Sequence, residues 1–223
     1  FFNDTANTEI YTRSLHDALP IYIDPGIAEQ LMSDGTDIMG GVETVATLLF
    51  SDIRGFTTIT ETLGAQGTVS LLNEYFDIMV EAISEQGGMV DKFIGDAIMV
   101  IFGAPLEMDS REQAERATAC ARDMQIAMGL IATAWKFRGA GHLTMRIGIH
   151  QGDAVVGNFG SDRRSDYTCI GPTVNMASRI ETVCESGHVF VSGELSNFLP
   201  EGVVEKAGDY QLKGVADEQP LYR

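Results

Sequence analysis

Two aspartates, Asp52 and Asp96, stand where carboxylates can do chemistry. Asp52 closely follows the apolar run 45–50, VATLLF, and Asp96 completes the Gly95-Asp96 link between two β-rich runs, 89–94 and 97–102. Either residue alone is an ordinary strand-end or hairpin-turn aspartate. Brought together, the pair would repel unless a cation stood between them. Magnesium, which binds through one or two carboxylates together with phosphate oxygens, suits that place. Directly after Asp52, Gly55-Phe56-Thr57-Thr58 opens a helical stretch. Its first backbone N–H groups lack intrahelical acceptors, so a threonine can cap them or an anion such as phosphate can bind there.

Cations follow further along. Arg146 lies in HLTMRIGIHQG, where Met145, Ile147 and Ile149 share one face and Arg146 shares the other with Thr144, Gly148 and His150. An arginine on a central strand needs an anionic partner, and either a carboxylate of the protein or a phosphate would serve. Asn175 and Arg179 stand four apart after Pro172, on one helix face, while Val174 and Ala177 can pack inward. The planar fork of arginine suits charge developing on a phosphate, and asparagine can orient a sugar oxygen. A solvated helix face would carry the same two residues.

The elements that must hold these side chains can be read from hydrophobic pattern and turn chemistry. Residues 45–50 form a continuous apolar run, expected as a buried strand. A helix is expected over 56–86 with a break near Gly64 to Gly67, a stripe at Leu71, Leu72, Tyr75, Met79 and Ile83, and a stop at Gly87-Gly88. The runs 89–94 and 97–102 read as a hairpin. Asp109 with Glu112 has the form of a capping box opening a helix to about Phe137, whose Met and Ala content is most simply core packing. Residues 142–150 and 153–159 are expected as two further strands, and Pro172 starts a helix to about Val183. The order β-α-β-β-α-β with C-terminal additions is the α+β, ferredoxin-like split βαβ arrangement, an antiparallel sheet with two helices on one face. RNA-binding domains, acylphosphatases and nucleotide cyclases share that order, so it does not choose among functions.

Composition narrows the field. With 223 residues, 44% hydrophobic and 21% charged, the chain can bury a sizeable core. Fifteen basic against 32 acidic residues give −17, which disfavours non-specific contact with nucleic acid or anionic lipid. It leaves room for a small anion held by divalent metal or a local cationic pocket. Without aromatic and basic residues interleaved on a strand, an RNA-binding reading is poor. Cys120, Cys169 and Cys184 are odd in number and lack CxxC spacing, which fits neither a disulfide framework nor a zinc site and suits a reducing cytosol. No apolar run reaches the roughly 18 residues of a bilayer span. Residues 3–21 hold no sustained period and resemble the conceptual translation of a sequencing adapter, so residues 1–21 are expected to be a non-native tail outside the fold. Residues 22–44 read as a linker or entry helix leading to the domain proper, 45–223.

Four segments, FSDIRGFT, DKFIGDAIMVIFG, RIGIHQGDAVVGNFG and YTCIGPTVNMASR, together resemble the catalytic domain of the class III nucleotidyl cyclases, collinearly from about Val45 to Tyr222. The resemblance implies that Asp52 and Asp96, with the backbone carbonyl of Ile53, bind two Mg²⁺ (or Mn²⁺) ions per site. It places Gly55, Phe56 and Thr57 around the distal phosphates and Arg146 and Lys213 on the triphosphate. Asn175 and Arg179 would position the ribose and stabilise the transition state. Lys92 and Thr168 match the positions that read the purine. A lysine donor suits the N1 acceptor of adenine and clashes with the N1–H of guanine, so ATP is the expected substrate.

The implied reaction is an intramolecular cyclisation of ATP to 3′,5′-cyclic AMP and pyrophosphate. Family architecture puts each site at a dimer interface, one subunit giving the aspartates and Arg146, the other the purine readers, Asn175, Arg179 and Lys213. Since this chain carries both sets, a head-to-tail homodimer with two shared sites is expected. The expectation extends to a cytoplasmic catalytic domain that is not membrane-embedded, with an upstream sensor domain missing here that could attach the whole protein to a membrane. Bicarbonate stimulation is a further hypothesis, drawn from Thr168. The competing readings are a guanylate cyclase and a catalytically silent module that dimerises or senses nucleotide.

Overall fold

Strand β1 (Val42–Ile53) carries the expected apolar run at its centre, with residues 46 to 51 buried. In the computed structural model the described residues are 41–161 and 164–223. The stretch 1–21 and nearly all of the 22–44 linker therefore lie outside the described residues, and β1 takes in the last residues of that linker. Helix α1 (Phe56–Glu85) follows, kinked at Gly64, whose φ of 67° and ψ of 176° break the helical ladder where the sequence placed a break. Strands β2 (Met89–Ile94) and β3 (Ala97–Phe102) form the expected antiparallel hairpin. Gly95 at its turn has φ 68°, a conformation that glycine adopts without strain. Helix α2 (Ser110–Lys136) is capped by Asp109, which accepts a hydrogen bond from the Glu112 backbone N–H at 2.9 Å.

The chain divides into two units. The larger holds Glu43–Val155 and Cys169–Arg223. Its strand order is β2-β3-β1-β4-β6-β8-β7, with β4 (Met145–Ser161), β6 (Val189–Ser192), β7 (Lys206–Tyr210) and β8 (Gln219–Tyr222). The first four strands of that path are the ferredoxin-like arrangement. The C-terminal addition joins through a parallel pairing of β4 with β6, and continues antiparallel through β8 and β7. The smaller unit takes in Val156–Thr168, where β5 (Arg164–Ile170) pairs with β4.

Helices cover both faces of the larger sheet. Leu71, Tyr75, Met79 and Ile83 of α1 and the Ala, Cys and Met stripe of α2 pack with Leu49, Val100, Ile147 and Val191 in one core. Helix α3 (Pro172–Val183) packs in a second, where Ile180 and Cys184 meet Phe190, Leu212 and Leu221. Val191 and Phe190 are strand neighbours and so point to opposite faces, which sets α3 across the sheet from α1 and α2. A Cβ at Gly148 of β4 would run into the α3 backbone at Ala177 and Glu181. The short helix α4 (Gly193–Ser196) completes the elements.

One expectation needs correction. The two strands expected over 142–150 and 153–159 are a single 17-residue strand, β4. Gln151 and Gly152, between the two expected strands, continue β4: Gln151 is buried and donates to Thr47 Oγ1 and the Ser110 carbonyl, both at 2.8 Å. Its polarity anchors the strand to β1 and to the start of α2. Strand β5, with the polar sequence RSDYTCI, had no hydrophobic period to announce it.

Candidate active site

The register of β1 against β3 ends at Ser51 opposite Ile98, so the next residues of β1 run beside the β2–β3 turn. This brings Asp52 and Asp96 together. The backbone N–H of Ile53 donates to Asp96 Oδ2 at 3.0 Å, fixing the carboxylate over the strand end. Burial pushes the Asp96 carboxyl up to about 6, Asp52 adds to the rise, and the Ile53 N–H opposes it. Beneath them Tyr75 is fully buried, its hydroxyl 3.5 Å from Met145 Sδ, and burial lifts its ionisation above the ordinary phenol range.

Arg146 points from β4 to the α3 side of the sheet, as the alternation of its neighbours requires. Its Nη2 donates to Asp52 Oδ2 at 3.1 Å, its Nη1 donates to the Thr182 carbonyl at 2.8 Å, and its Nε forms a close ion pair with Glu181. The expectation for Arg146 was a triphosphate contact; here its guanidinium is held by protein acceptors on β1 and α3. Glu181 was not singled out in the sequence. It is a buried acid, 8% exposed, whose carboxyl burial raises while Arg146 draws it down. The only signal for it was indirect, a glycine on β4 where the helix must come close.

The remaining candidates lie on α3, on β2, on β5, in the C-terminal segment and at the start of α1. On α3, Thr173, Ala177, Ile180 and Glu181 are buried, whereas Asn175 is exposed and Arg179 partly so. Arg179 lies over Gly214, where a Cβ would stand 3.4 Å from its Nη2, which brings it beside Lys213. Asn175 and Arg179 therefore lie on the face of α3 away from Glu181 and its pairing with Arg146. Lys92 is exposed on β2, 3.5 Å from the buried carboxylate of Asp91, at an irregularity in the β2–β3 register. Burial and the Asp91 charge push the Cys169 thiol up to about 11. Thr168, in the smaller unit, is buried. At the start of α1 the N-cap is Gly55, and no side chain caps it, so Thr57 does not take the capping role open to it in the sequence.

The family model for the adenylate and guanylate cyclase catalytic domain matches residues 41–222. The chain belongs to this cyclase catalytic-domain family. It is 35% identical over 171 residues to adenylate cyclase 1 of Rhizobium meliloti, covering 73% of this chain and 25% of that protein. The adenylyl cyclase CyaB of P. aeruginosa superposes with a TM-score of 0.79 at 36% identity, over 82% of this chain and 95% of the other. The guanylyl cyclase Cya2 does so with 0.77 at 38%, over 82% and 93%. The chain thus spans about a quarter of the Rhizobium relative's length, and its overall likeness to an adenylyl and to a guanylyl cyclase is nearly equal.

Among the described residues of this cyclase domain, no group of three or more His, Cys, Asp or Glu could hold a metal. The acidic end offers two carboxylates and a backbone carbonyl. That all-oxygen set fits magnesium, which leaves its remaining positions to water and substrate phosphate. Among the described residues no helix is long and apolar enough to cross a membrane.

Proposed function

We propose that this domain converts ATP to 3′,5′-cyclic AMP and pyrophosphate at sites shared between two copies of the chain. The observation that carries the proposal is the Asp52–Asp96 pair, converged at the end of β1, where the Ile53 N–H donates to Asp96 Oδ2 at 3.0 Å. In the cyclase catalytic family such chemistry depends on metal. Asp52, Asp96 and the Ile53 carbonyl would hold Mg²⁺ or Mn²⁺, two per site, supplying Lewis-acid activation of the ribose 3′-hydroxyl and charge neutralisation on the triphosphate.

The chain's own residues do the rest. The uncapped start of α1 at Gly55, Phe56 and Thr57 receives the distal phosphates. Asn175 orients the ribose so that its 3′-oxygen lies in line with the α-phosphorus. The 3′-oxygen forms the new P–O bond, the bond to the β-phosphate oxygen breaks, and the hydroxyl proton leaves to solvent or substrate, as no side chain among the described residues stands out as a general base. Arg179 stabilises charge gathering on the α-phosphate, and Lys213 beside it binds the departing pyrophosphate. Lys92 donates to adenine N1 while Thr168 accepts from the amino group. For Arg146, a phosphate contact would require its release from Asp52.

The placement of Asn175 and Arg179 on the face of α3 away from Glu181 and Arg146 supports assembly of each site from two chains. Incubation with ATP or GTP and Mg²⁺ or Mn²⁺, followed by chromatographic identification of products, tests the proposal. Cyclic AMP that is lost in Asp96→Ala is the expected result. Cyclic GMP from GTP would overturn the Lys92 and Thr168 assignment, and no product from either nucleotide in a dimeric protein would favour a silent sensing module.

A further inference from the structure

We propose that Glu181 is a positioning residue for the metal site, holding the Arg146 guanidinium to α3 so that Asp52 is free to bind a divalent cation. The inference rests on the proposed metal role of Asp52. Arg146 keeps its positive charge at any working pH. Its side chain is 15% exposed, and it divides that charge between Asp52, through Nη2 at 3.1 Å, and Glu181, through Nε. The Thr182 carbonyl fixes the third nitrogen at 2.8 Å.

Glu181 has little freedom to leave this position. Its own backbone packs against β4 at Gly148, where not even a Cβ fits, and its side chain is 10% exposed. When Asp52 turns to a metal, Arg146 would be left as a buried charge without an anion, at considerable cost. Glu181 removes that cost. Without Glu181 the arginine becomes a dedicated partner of Asp52 and competes with the metal.

Direct Mn²⁺ binding, read from the free-ion electron paramagnetic resonance signal, tests this without reference to turnover. Glu181→Gln keeps shape and should weaken Mn²⁺ binding by about threefold or more, the range expected of coupled neighbours. Adding Arg146→Gln to that variant removes the competing charge and should restore binding. Thermal melts establish that each variant is folded. Where Glu181→Gln melts too low to titrate, Glu181→Asp, which keeps the charge but withdraws it, should shift binding in the same direction. Unchanged affinity in Glu181→Gln, or a double variant that stays as weak as the single one, overturns the inference. Asp52→Asn serves as the control: if it abolishes Mn²⁺ binding while Glu181→Gln leaves it unchanged, only the role of Glu181 falls. If Asp52→Asn binds Mn²⁺ like the parent, the metal reading of Asp52 falls and takes the inference with it.

Discussion

At Asp96 the protonation state, the metal site and the stability of the fold are linked. Its carboxyl sits at about 6 in the metal-free domain, above the ordinary 3.8. The folded state therefore holds this proton more tightly than the unfolded chain does. Its contribution to stability is present below the ordinary carboxylate value and is lost as pH rises through about 6. Metal-free Asp96→Asn should consequently melt higher than the parent at pH near 7.5, by about 1 kcal/mol once solvent screening of this half-buried group is allowed for. The gap should close as the melts are repeated toward pH 4.5, roughly where the parent carboxyl is protonated. Mn²⁺ affinity should fall over the same interval, since protons and metal compete for one oxygen pair. A flat difference between the two proteins across that range would place the coupling elsewhere. Of the residues involved, Asp52 and Asp96 were legible because strand end and hairpin turn can be read from short-range pattern. Glu181 was not, because its meaning depends on Arg146, which lies 35 positions earlier in the chain.

The elements were legible where local chemistry dominates. Asp109, the Gly95-Asp96 turn, the Gly64 break and the Pro172 start were each signalled by residues within a few positions of one another, and each stands in the fold. Strand β4 was misread because the Gln151 amide nitrogen donates to Thr47 and Ser110, partners that no window around it contains. The same strand carries a close helix–sheet approach at Gly148. Gly148→Ala would force α3 off β4, and the expected loss is about 2–3 kcal/mol, in the range of overpacked sites, read as a lowered melting temperature. Because α3 also carries Asn175 and Arg179, activity should fall further than stability alone accounts for. A variant that melts like the parent would mean that α3 has room to shift. By contrast, Gly55 and Gly95, which face open space, tell a different story: their positive φ values, not contacts, restrict what can replace them.

For the whole molecule, the fold order could be read from hydrophobic pattern and turn chemistry and the family from four segments, and the strand order β2-β3-β1-β4 agrees with that reading. The parallel attachment of β6 and the second core around Phe190 could not be read, since short strands paired over long separations leave little local trace. Assembly yields a sharp expectation. Asp52→Ala and Asn175→Ala dimers should each be nearly inactive, whereas mixing and re-equilibrating the two should restore one good site per heterodimer, close to half of the parent's activity per heterodimer formed. An inactive mixture in which mass spectrometry finds heterodimers would refute shared sites.

The two faces of α3 also bear on gene dosage. One face meets Arg146 beside Asp52 and the other presents Asn175 and Arg179. With shared sites, a second allele damaged on one side alone still completes one site with a healthy partner, so output declines in simple proportion to the healthy share. An allele damaged on both sides ruins every dimer it enters, and output declines as the square of that share. A lesion that lifts the whole helix is of the second kind, and it would behave as a dominant negative.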